Sequence, residues 1–230
     1  MERKSAGGIR ARVRAEIMGE IKVAARRHLA TDGANLSLRA IARDLGLVSS
    51  ALYRYFASRD ELLTALILDA YNDLGEAAEK ADAAVTDRAD TRGRWMSVAR
   101  AVRAWAVANP AEYALLYGTP VPGYAAPPDT IEAARRPTQV LGAILADAGP
   151  TESGSVTLSP ALAAEIDRLR VADSPGATDA AMVRGLISWT LLFGALNFEL
   201  FGRLDRTILE RDEWFDLQMA AMMDYIGLPT

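Results

Sequence analysis

Apolar residues recur at three- and four-residue steps along most of the chain, which is the spacing of an amphipathic helix. The clearest run lies between residues 16 and 32, and Gly33 follows it as a stop signal. Its stripe consists of Ile17, Ile21, Ala24, Ala25, His28 and Leu29. The strict alternation that marks a β-strand is nearly absent. The pattern therefore predicts an all-α protein.

Helix end signals place the other elements. Two short helices are predicted at residues 38–45, after Ser37, and at residues 49–56. Ser58 and Glu61 match the capping-box pattern, so a long helix is predicted to begin near Arg59. Further helices are predicted near residues 91–108, 110–118, 129–147, 160–171, 179–203 and 211–226. Residues 119–128, with four prolines, and residues 148–159, rich in glycine and serine, are predicted to be loops.

Composition narrows the class of protein. The chain has 230 residues, 50% of them hydrophobic, with no cysteine and a single histidine. This length suits one or two folded domains, and the missing thiols exclude disulfides, thiolate metal sites and a cysteine nucleophile. No apolar run approaches the ~20 residues of a membrane span, and no secretory signal pattern opens the sequence. We therefore expect a soluble, cytoplasmic protein that binds no membrane.

Charged residues are distributed unevenly along the chain. Residues 1–60 contain 12 Lys/Arg and 6 Asp/Glu, whereas residues 61–230 contain 14 and 24. A basic segment on an acidic body suggests two domains, of which residues 1–60 face a polyanion and residues 61–230 do not. An ordinary solvated surface would give the same charges, so the charge pattern alone leaves both interpretations open.

Residues 37–56 have the layout of a helix-turn-helix. Gly46 ends the first helix and can take the left-handed conformation that a sharp turn needs. Leu52 and Phe56 then anchor the second helix from below. Helix pairs of this kind are often merely structural, but such a helix also fits the major groove of B-DNA. The side chains left facing outward are Ser49, Ser50, Ala51, Tyr53 and Arg54.

Several local features of the first quarter of the chain fall in one register. They are the Ala/Leu stripe that ends at Gly33, the sequence Leu-Ser-Leu-Arg at 36–39, Ala42, Gly46, the block Leu-Tyr-Arg-Tyr-Phe at 52–56, and Ser-Arg-Asp-Glu-Leu-Leu at 58–63. With these features, residues 21–67 resemble the DNA-binding domain of the tetracycline-repressor (TetR) family. The rest of the chain resembles the ligand-binding and dimerisation domain of that family in length and helical character. Within it, Trp189, Phe193, Gly194, Glu199 and Gly202 are similar to a subset of these domains.

The resemblance implies an N-terminal three-helix DNA-binding domain and a role for each matching residue in binding double-stranded DNA. Arg39 would reach a guanine edge or a phosphate, since a guanidinium group suits both. Ser49 and Ser50 would meet base edges, and Ala51 would pack on a thymine methyl group.

Three further residues would hold the DNA backbone. Tyr53 and Tyr55 would place their hydroxyls on phosphates, which fixes register without reading sequence. Arg59 would bind a phosphate at the first turn of the long helix. A half-buried, packing role for Tyr53 stays an equal alternative.

Two details of the basic segment stay open. The family usually places Ser or Thr where this chain has Val48, so Ser49 is an alternative cap that would withdraw its hydroxyl from the bases. The basic arm before the first predicted helix could follow the DNA backbone or enter the minor groove, and a disordered, solvated tail is an equal alternative. The cations of this arm are Arg3, Lys4, Arg10, Arg12 and Arg14.

The predicted helix at 179–203 is apolar on nearly all sides, so each side is expected to be buried against protein or ligand. The last helix adds a second apolar stripe that includes Trp214 and Leu217. As the resemblance implies, these two helices are expected to form half of a four-helix homodimer interface. A two-fold dimer presents its recognition helices to successive major grooves.

A pocket for an unknown, largely apolar small-molecule effector is predicted among the helices between residues 91 and 201. Pockets usually pair apolar walls with a few polar groups, and Asn197 lies in an aromatic row. The competing interpretation is that the aromatic residues belong to the core and Asn197 bonds a neighbouring helix. The candidate residues are Trp95, Trp105, Tyr113, Tyr117, Trp189, Phe193 and Asn197.

The expected function is that of a ligand-responsive transcriptional regulator, a repressor released from a palindromic operator. An enzyme is the rival class, but the sequence lacks the GxSxG, P-loop, GxGxxG and HExxH patterns. We expect no cofactor and no metal site. A transcriptional activator, or a helical binding module whose helix-turn-helix no longer binds DNA, remains an alternative.

Overall fold

The computed structural model describes residues 3–33, 35–149 and 156–229, with side chains from Gly8 onward except that of Asp173. Within these residues the chain forms ten helices and no strand, which confirms the all-α prediction. In chain order they are α1 (Arg3–Asp32), α2 (Leu38–Asp44), α3 (Ser49–Leu52), α4 (Arg59–Ala84), α5 (Thr91–Ala108), α6 (Pro110–Tyr117), α7 (Thr130–Ala148), α8 (Pro160–Asp173), α9 (Asp179–Leu200) and α10 (Arg211–Ile226). The predicted loop at 148–159 lies partly outside the described residues.

The chain divides into two compact units. The first contains the described residues up to Ala70 together with Asn109–Thr130, and the second contains Tyr71–Ala108 together with the described residues from Ile131 onward. Helix α4 begins in the first unit and ends in the second. The sequence placed a functional boundary near residue 60, between a DNA-binding and a ligand-binding domain. That functional division stays a prediction.

The core of the first unit joins α1, α2, α3 and the start of α4. Leu52 and Phe56 are buried in it, as the helix-turn-helix layout predicts, and Ala42 is buried on α2. Leu115 of α6 and Tyr124 of the proline-rich loop pack on the same core. The other buried members are Ile21, Ala24, Ala25, Leu29, Leu36, Leu38, Ile41, Leu62, Leu63 and Leu66.

Two helices differ in length from the prediction. Helix α1 begins at Arg3 rather than near residue 16, so the alternative of a disordered basic tail is wrong for the described backbone. Seven of the fourteen residues from Arg3 to Glu16 are Ala or Arg, which are strong helix formers, and this explains a helix there without an apolar stripe. Helix α3 is shorter than predicted and ends at Leu52. It continues as tight turns, in which the N–H of Tyr55 donates to the carbonyl of Leu52 at 2.9 Å.

Gly46 makes the turn between α2 and α3. Its φ is +65°, and the next N–H, of Leu47, donates to the carbonyl of Ala42 at 2.8 Å. A Cβ atom at position 46 would meet no described atom within 4 Å, so the cost of a side chain there comes only from the left-handed backbone conformation.

We therefore expect Gly46→Ala to lower the free energy of unfolding by ~1–2 kcal/mol, the cost of the left-handed region for an L-residue. Urea denaturation monitored by circular dichroism measures it. Gly19→Ala, within α1 and also without a close neighbour, is the matched control and should instead raise stability by up to ~1 kcal/mol. Equal effects of the two substitutions would contradict the assignment of Gly46 to the turn.

The second unit is organised around Arg94, whose side chain is 0% exposed. Its Nε donates to Asp82 Oδ1 at 2.8 Å, and its Nη1 donates to Asp147 Oδ2 at 2.7 Å and to the carbonyl of Arg88 at 3.1 Å. One guanidinium group thus joins α4, the loop after α4, α5 and α7. Burial opposes ionisation of Asp82, but the hydrogen bonds from Arg94 and Arg88 outweigh it and hold the pKa of Asp82 below its ordinary value.

Helix α9 is long and apolar enough to cross a membrane by length and composition alone, with a mean hydropathy of 1.3 over an 18-residue window. This corrects the expectation that no stretch approaches a membrane span, which counted uninterrupted apolar residues. The core helices of soluble proteins pass the same test, so the finding is weak support for a membrane span. Its buried residues include Ser188, Leu192 and Leu196, and the helix contacts α5, α8 and α10.

Candidate nucleic-acid interface

The exposed side of the helix-turn-helix is built from α2, its turn and α3. Ser37 caps α2, its Oγ accepting from the N–H of Ala40 at 3.3 Å. Because Leu52 is fully buried, α3 cannot rotate about its axis without losing its place in the core. The opposite side of α3 is held toward solvent.

The seven predicted DNA-binding residues all keep exposed surface. Arg39, Ser50 and Tyr53 are exposed. Tyr53 is 46% exposed, a half-buried position that suits a phosphate contact and a packing role equally, so both stay predictions. The half-exposed ones are Ser49, Ala51, Tyr55 and Arg59. Their role in DNA binding stays a prediction.

Helix α3 begins without a side-chain cap. Its N-cap is Val48, and no side chain accepts a hydrogen bond there. The alternative in which Ser49 takes over the capping role is therefore wrong, because Ser49 is itself the first helical residue. The hydroxyl of Ser49 is left for other partners.

The start of α4 follows the capping-box prediction. Ser58 Oγ accepts from the N–H of Glu61 at 3.1 Å, and the Glu61 carboxylate accepts from the N–H of Ala57 at 2.6 Å. This fixes the entry angle of α4 and with it the position of Arg59. The Arg59 guanidinium lies 3.8 Å from the carboxylate of Asp60, a weak surface pair.

Arg14 makes contacts with Arg54 and Tyr55 that no sequence pattern predicts. Its Nη1 donates to the carbonyl of Arg54 at 3.0 Å, and its guanidinium carbon lies 5.2 Å from the centre of the Tyr55 ring. Helix α1 is thus tied to the turn that follows α3. No local signal marks this pair, because the partners are 40 residues apart.

A charged cluster holds α1 against two other helices of the first unit. Asp69 of α4 accepts from Lys22 at 2.9 Å and from Arg26 at 3.1 Å. Arg26 also lies 3.6 Å from Glu112 of α6. His28 is half-buried, and its Nε2 lies 2.6 Å from the Asp44 carboxylate.

Helices α9 and α10 border an apolar groove of about 690 Å³ in the second unit. Two of its large side chains are half in solvent, Leu191 at 49% and Phe198 at 57% exposed. The remaining lining includes Gly194, Trp214, Gln218 and Tyr225. This is the surface for which the sequence predicts a second subunit.

None of the seven predicted ligand-binding residues lines this groove. Tyr113 and Tyr117 belong to the first unit, and their ring centroids lie 5.3 Å apart. The pKa of Tyr113 is raised by burial. The second unit contains Trp95, Trp105, Trp189, Phe193 and Asn197.

The ring centroids of Trp189 and Phe193 lie 4.3 Å apart in an edge-to-face arrangement. Trp95 is fully buried, and its Nε1 has no hydrogen-bond partner among the described residues. A shared ligand pocket stays a prediction.

Glu199, one of the residues shared with a subset of the family's C-terminal domains, has a structural partner. Arg103 of α5 donates to both carboxylate oxygens of Glu199 at 2.8 Å and lies 2.7 Å from Asp212 of α10. The hydrogen bonds to Glu199 are the main reason that the pKa of Arg103 is raised. This ion pair ties α5 to α9 beside the groove. In the described residues no group of three or more His, Cys, Asp or Glu side chains could hold a metal ion.

Comparisons with known families agree with this geometry. Residues 21–66 match the family model described as bacterial regulatory proteins, tetR family. Residues 95–222 match the model described as tetracyclin repressor-like, C-terminal domain. Together the two matches cover the helix-turn-helix and most of the second unit.

Individual relatives give the same result. The chain is 42% identical over 214 residues to an HTH-type transcriptional regulator of Mycobacterium tuberculosis, covering 88% of each chain, and equally to one of Mycobacterium bovis. The crystal structure of the regulatory protein SCO4313 is similar with a TM-score of 0.77 and 35% identity, over 93% of this chain and 98% of that one. The TetR family transcriptional regulator PfmR from Thermus thermophilus shares the fold, with a TM-score of 0.58 and 18% identity over 91% and 99% of the two chains.

Proposed function

Because the chain belongs to the tetracycline-repressor family of transcriptional regulators, we propose that it acts as a homodimeric repressor that a small ligand releases from a palindromic operator. Membership of this family makes it a DNA-binding regulator rather than an enzyme. The repressor role, the dimer, the operator and the ligand are the parts that we propose.

The observation that carries the DNA-binding part is the way α3 is presented. Its apolar side is locked in the core by Leu52, and its polar side, with Ser50 and Tyr53, faces solvent on a basic segment. A helix of this kind places side chains on base edges in the major groove, while Tyr and Arg groups at its borders bind phosphates. The seven residues named above are the proposed contacts.

Selection from a random duplex library with the full-length protein tests this part. We expect recovered fragments to share a palindrome, and a gel shift at physiological salt should show at least ~10³-fold tighter binding than to a shuffled duplex. Equal affinity for the two duplexes would contradict the proposal. It would favour the alternative of a helical module whose helix-turn-helix does not bind DNA.

The groove between α9 and α10 supports the dimer. A contiguous apolar surface on a soluble regulator marks an interaction site, and a two-fold dimer covers the same patch on both subunits. A second subunit on this face also covers the exposed side of α9 with protein. The proposal therefore includes a cytoplasmic location, with the apolar residues of α9 facing a partner helix instead of lipid.

Phe198→Glu is expected to convert the dimer to a monomer, because a carboxylate in the middle of an apolar interface is left without a partner. Sedimentation velocity at micromolar concentration measures the change. The matched control is Val171→Glu on α8, an equally exposed apolar residue outside the groove, which should leave a dimer. A wild-type monomer, or a dimer that survives Phe198→Glu, would contradict the assignment of this face.

A ligand can release the protein from its operator only if the protein has two conformations, one favoured by the ligand and the other by the operator. Helix α4 begins next to the proposed phosphate-binding Arg59 and ends in the second unit, so a change in its tilt would alter the spacing of the two recognition helices. Ligand binding shifts the equilibrium only by its difference in affinity for the two states. We therefore expect a true effector to be bound more weakly when operator is present.

A further inference from the structure

The first turns of α1 are held to the rest of the first unit through Arg14 and are otherwise open to solvent. Residues 8–16 are exposed on every side, and even Ile9 is 52% exposed. A short helix without packing is marginal in water, so a partner that covers one of its faces would stabilise it. The sequence leaves the role of this segment open, and the proposed DNA contacts of α3 do not involve it.

Arg14 fixes where this segment runs. Through the Arg54 carbonyl and the Tyr55 ring it ties α1 to the turn that follows α3, at the border of the proposed DNA-binding surface. Tyr55 is itself a proposed phosphate contact. In the proposed complex the helix would therefore pass beside the sugar–phosphate backbone that borders the groove filled by α3.

Arg10 lies one turn before Arg14 on the same face of α1, about 6 Å further along the axis. It forms no ion pair or hydrogen bond with any residue that the structure describes. Arg12 lies on the opposite side, 200° around the helix from Arg10, and pairs with Glu16 at 3.6 Å. On the face shared by Arg10 and Arg14, the guanidinium group of Arg10 is thus available to bind an external anion.

Resting on the proposed function, we propose that the start of α1 is a second DNA-binding element, in which Arg10 binds a phosphate flanking the major groove and Arg14 positions the helix. Double-stranded DNA is the partner because the face is cationic and adjoins the recognition helix. The minor-groove alternative does not suit a helix, which with its side chains is ~10–12 Å wide and the groove only ~6 Å.

The test compares Arg10→Gln with Arg12→Gln, which remove the same charge from opposite sides of one segment. Binding of full-length protein to the duplex recovered by selection, and to its shuffled version, is measured by fluorescence anisotropy between 50 and 300 mM salt, about the range in which phosphate contacts dominate. Arg10→Gln is expected to weaken binding about eightfold per subunit at ~0.1 M salt and to flatten the log–log salt slope by about 0.9 per subunit. Arg12→Gln is expected to change neither quantity.

Two results would overturn this inference. An unchanged slope in Arg10→Gln would show that Arg10 touches no phosphate, and equal losses in both variants would assign the effect to overall charge. If the wild type bound both duplexes equally, the proposed function would fail instead. The comparison of the two variants on the shuffled duplex would still decide whether Arg10 contacts DNA.

Discussion

Replacing Arg39 by glutamate is expected to weaken operator binding at least ~100-fold without unfolding the protein. Arg39 is exposed at the start of α2 and has no partner among the described residues. A bidentate guanidinium contact to a base edge is worth ~1–3 kcal/mol, and a carboxylate at the same place adds repulsion from neighbouring phosphates. A gel shift on the selected duplex measures the loss, and circular dichroism checks the fold.

Arg27→Glu is the control for this substitution. Arg27 is also exposed, but it lies thirteen residues beyond Arg14 on α1, about 20 Å further along the helix. The same change of two charge units there should alter affinity only slightly, and less as salt is added. If Arg39→Glu and Arg27→Glu behaved alike, Arg39 would not be a DNA contact.

Arg94→Ala is expected to lower the free energy of unfolding by ~3–5 kcal/mol, since it removes one partner of a buried ion pair. The substitution removes the ion pairs of Arg94 with the largely buried Asp82 and with Asp147. It also removes the side chain that joins α4, α5 and α7. Arg88→Ala is the matched control. Arg88 also pairs with Asp82 but is half exposed, so its loss should cost no more than ~1 kcal/mol.

The pH dependence of unfolding provides a second measurement of the same cluster. The pKa of Asp82 is lower in the folded chain than in the unfolded chain, where it is ~3.9. Its contribution to the free energy of unfolding is therefore complete above that value and is lost as the pH falls through the folded pKa. This acid-dependent part should shrink in Arg94→Ala. Urea titrations with the same pH dependence in both proteins would contradict the stabilising role of Arg94.

The parts of the fold that could be predicted from sequence are those with local causes. Ser37, Gly46 and the Ser58–Glu61 pair each act on their own turn, so helix boundaries beside them agree with the structure. The buried positions of Leu52 and Phe56 follow from helical spacing. Residues 3–16 carry few apolar side chains, so no periodic apolar stripe predicts their helix.

Contacts over long sequence distances could not be predicted. No local pattern marks Arg94 as a buried arginine, because its partner Asp147 is 53 positions away in the sequence. The aromatic residues proposed for a ligand follow helical spacing, which core residues share. Trp95 and Tyr113 are fully buried, a position that core residues and the walls of an enclosed pocket share.

Hydroxyl-radical footprinting of the full-length protein on the selected duplex tests the central claim most directly, namely that two copies of the Ser49–Tyr55 segment enter successive major grooves. The account predicts two equivalent protected stretches on one side of the duplex, with centres about 34–36 Å apart or a multiple of that distance. Gly46→Ala should leave this spacing unchanged, and Phe198→Glu should abolish the paired pattern. A single protected stretch with the wild-type protein, or the same protection on shuffled DNA, would contradict the account.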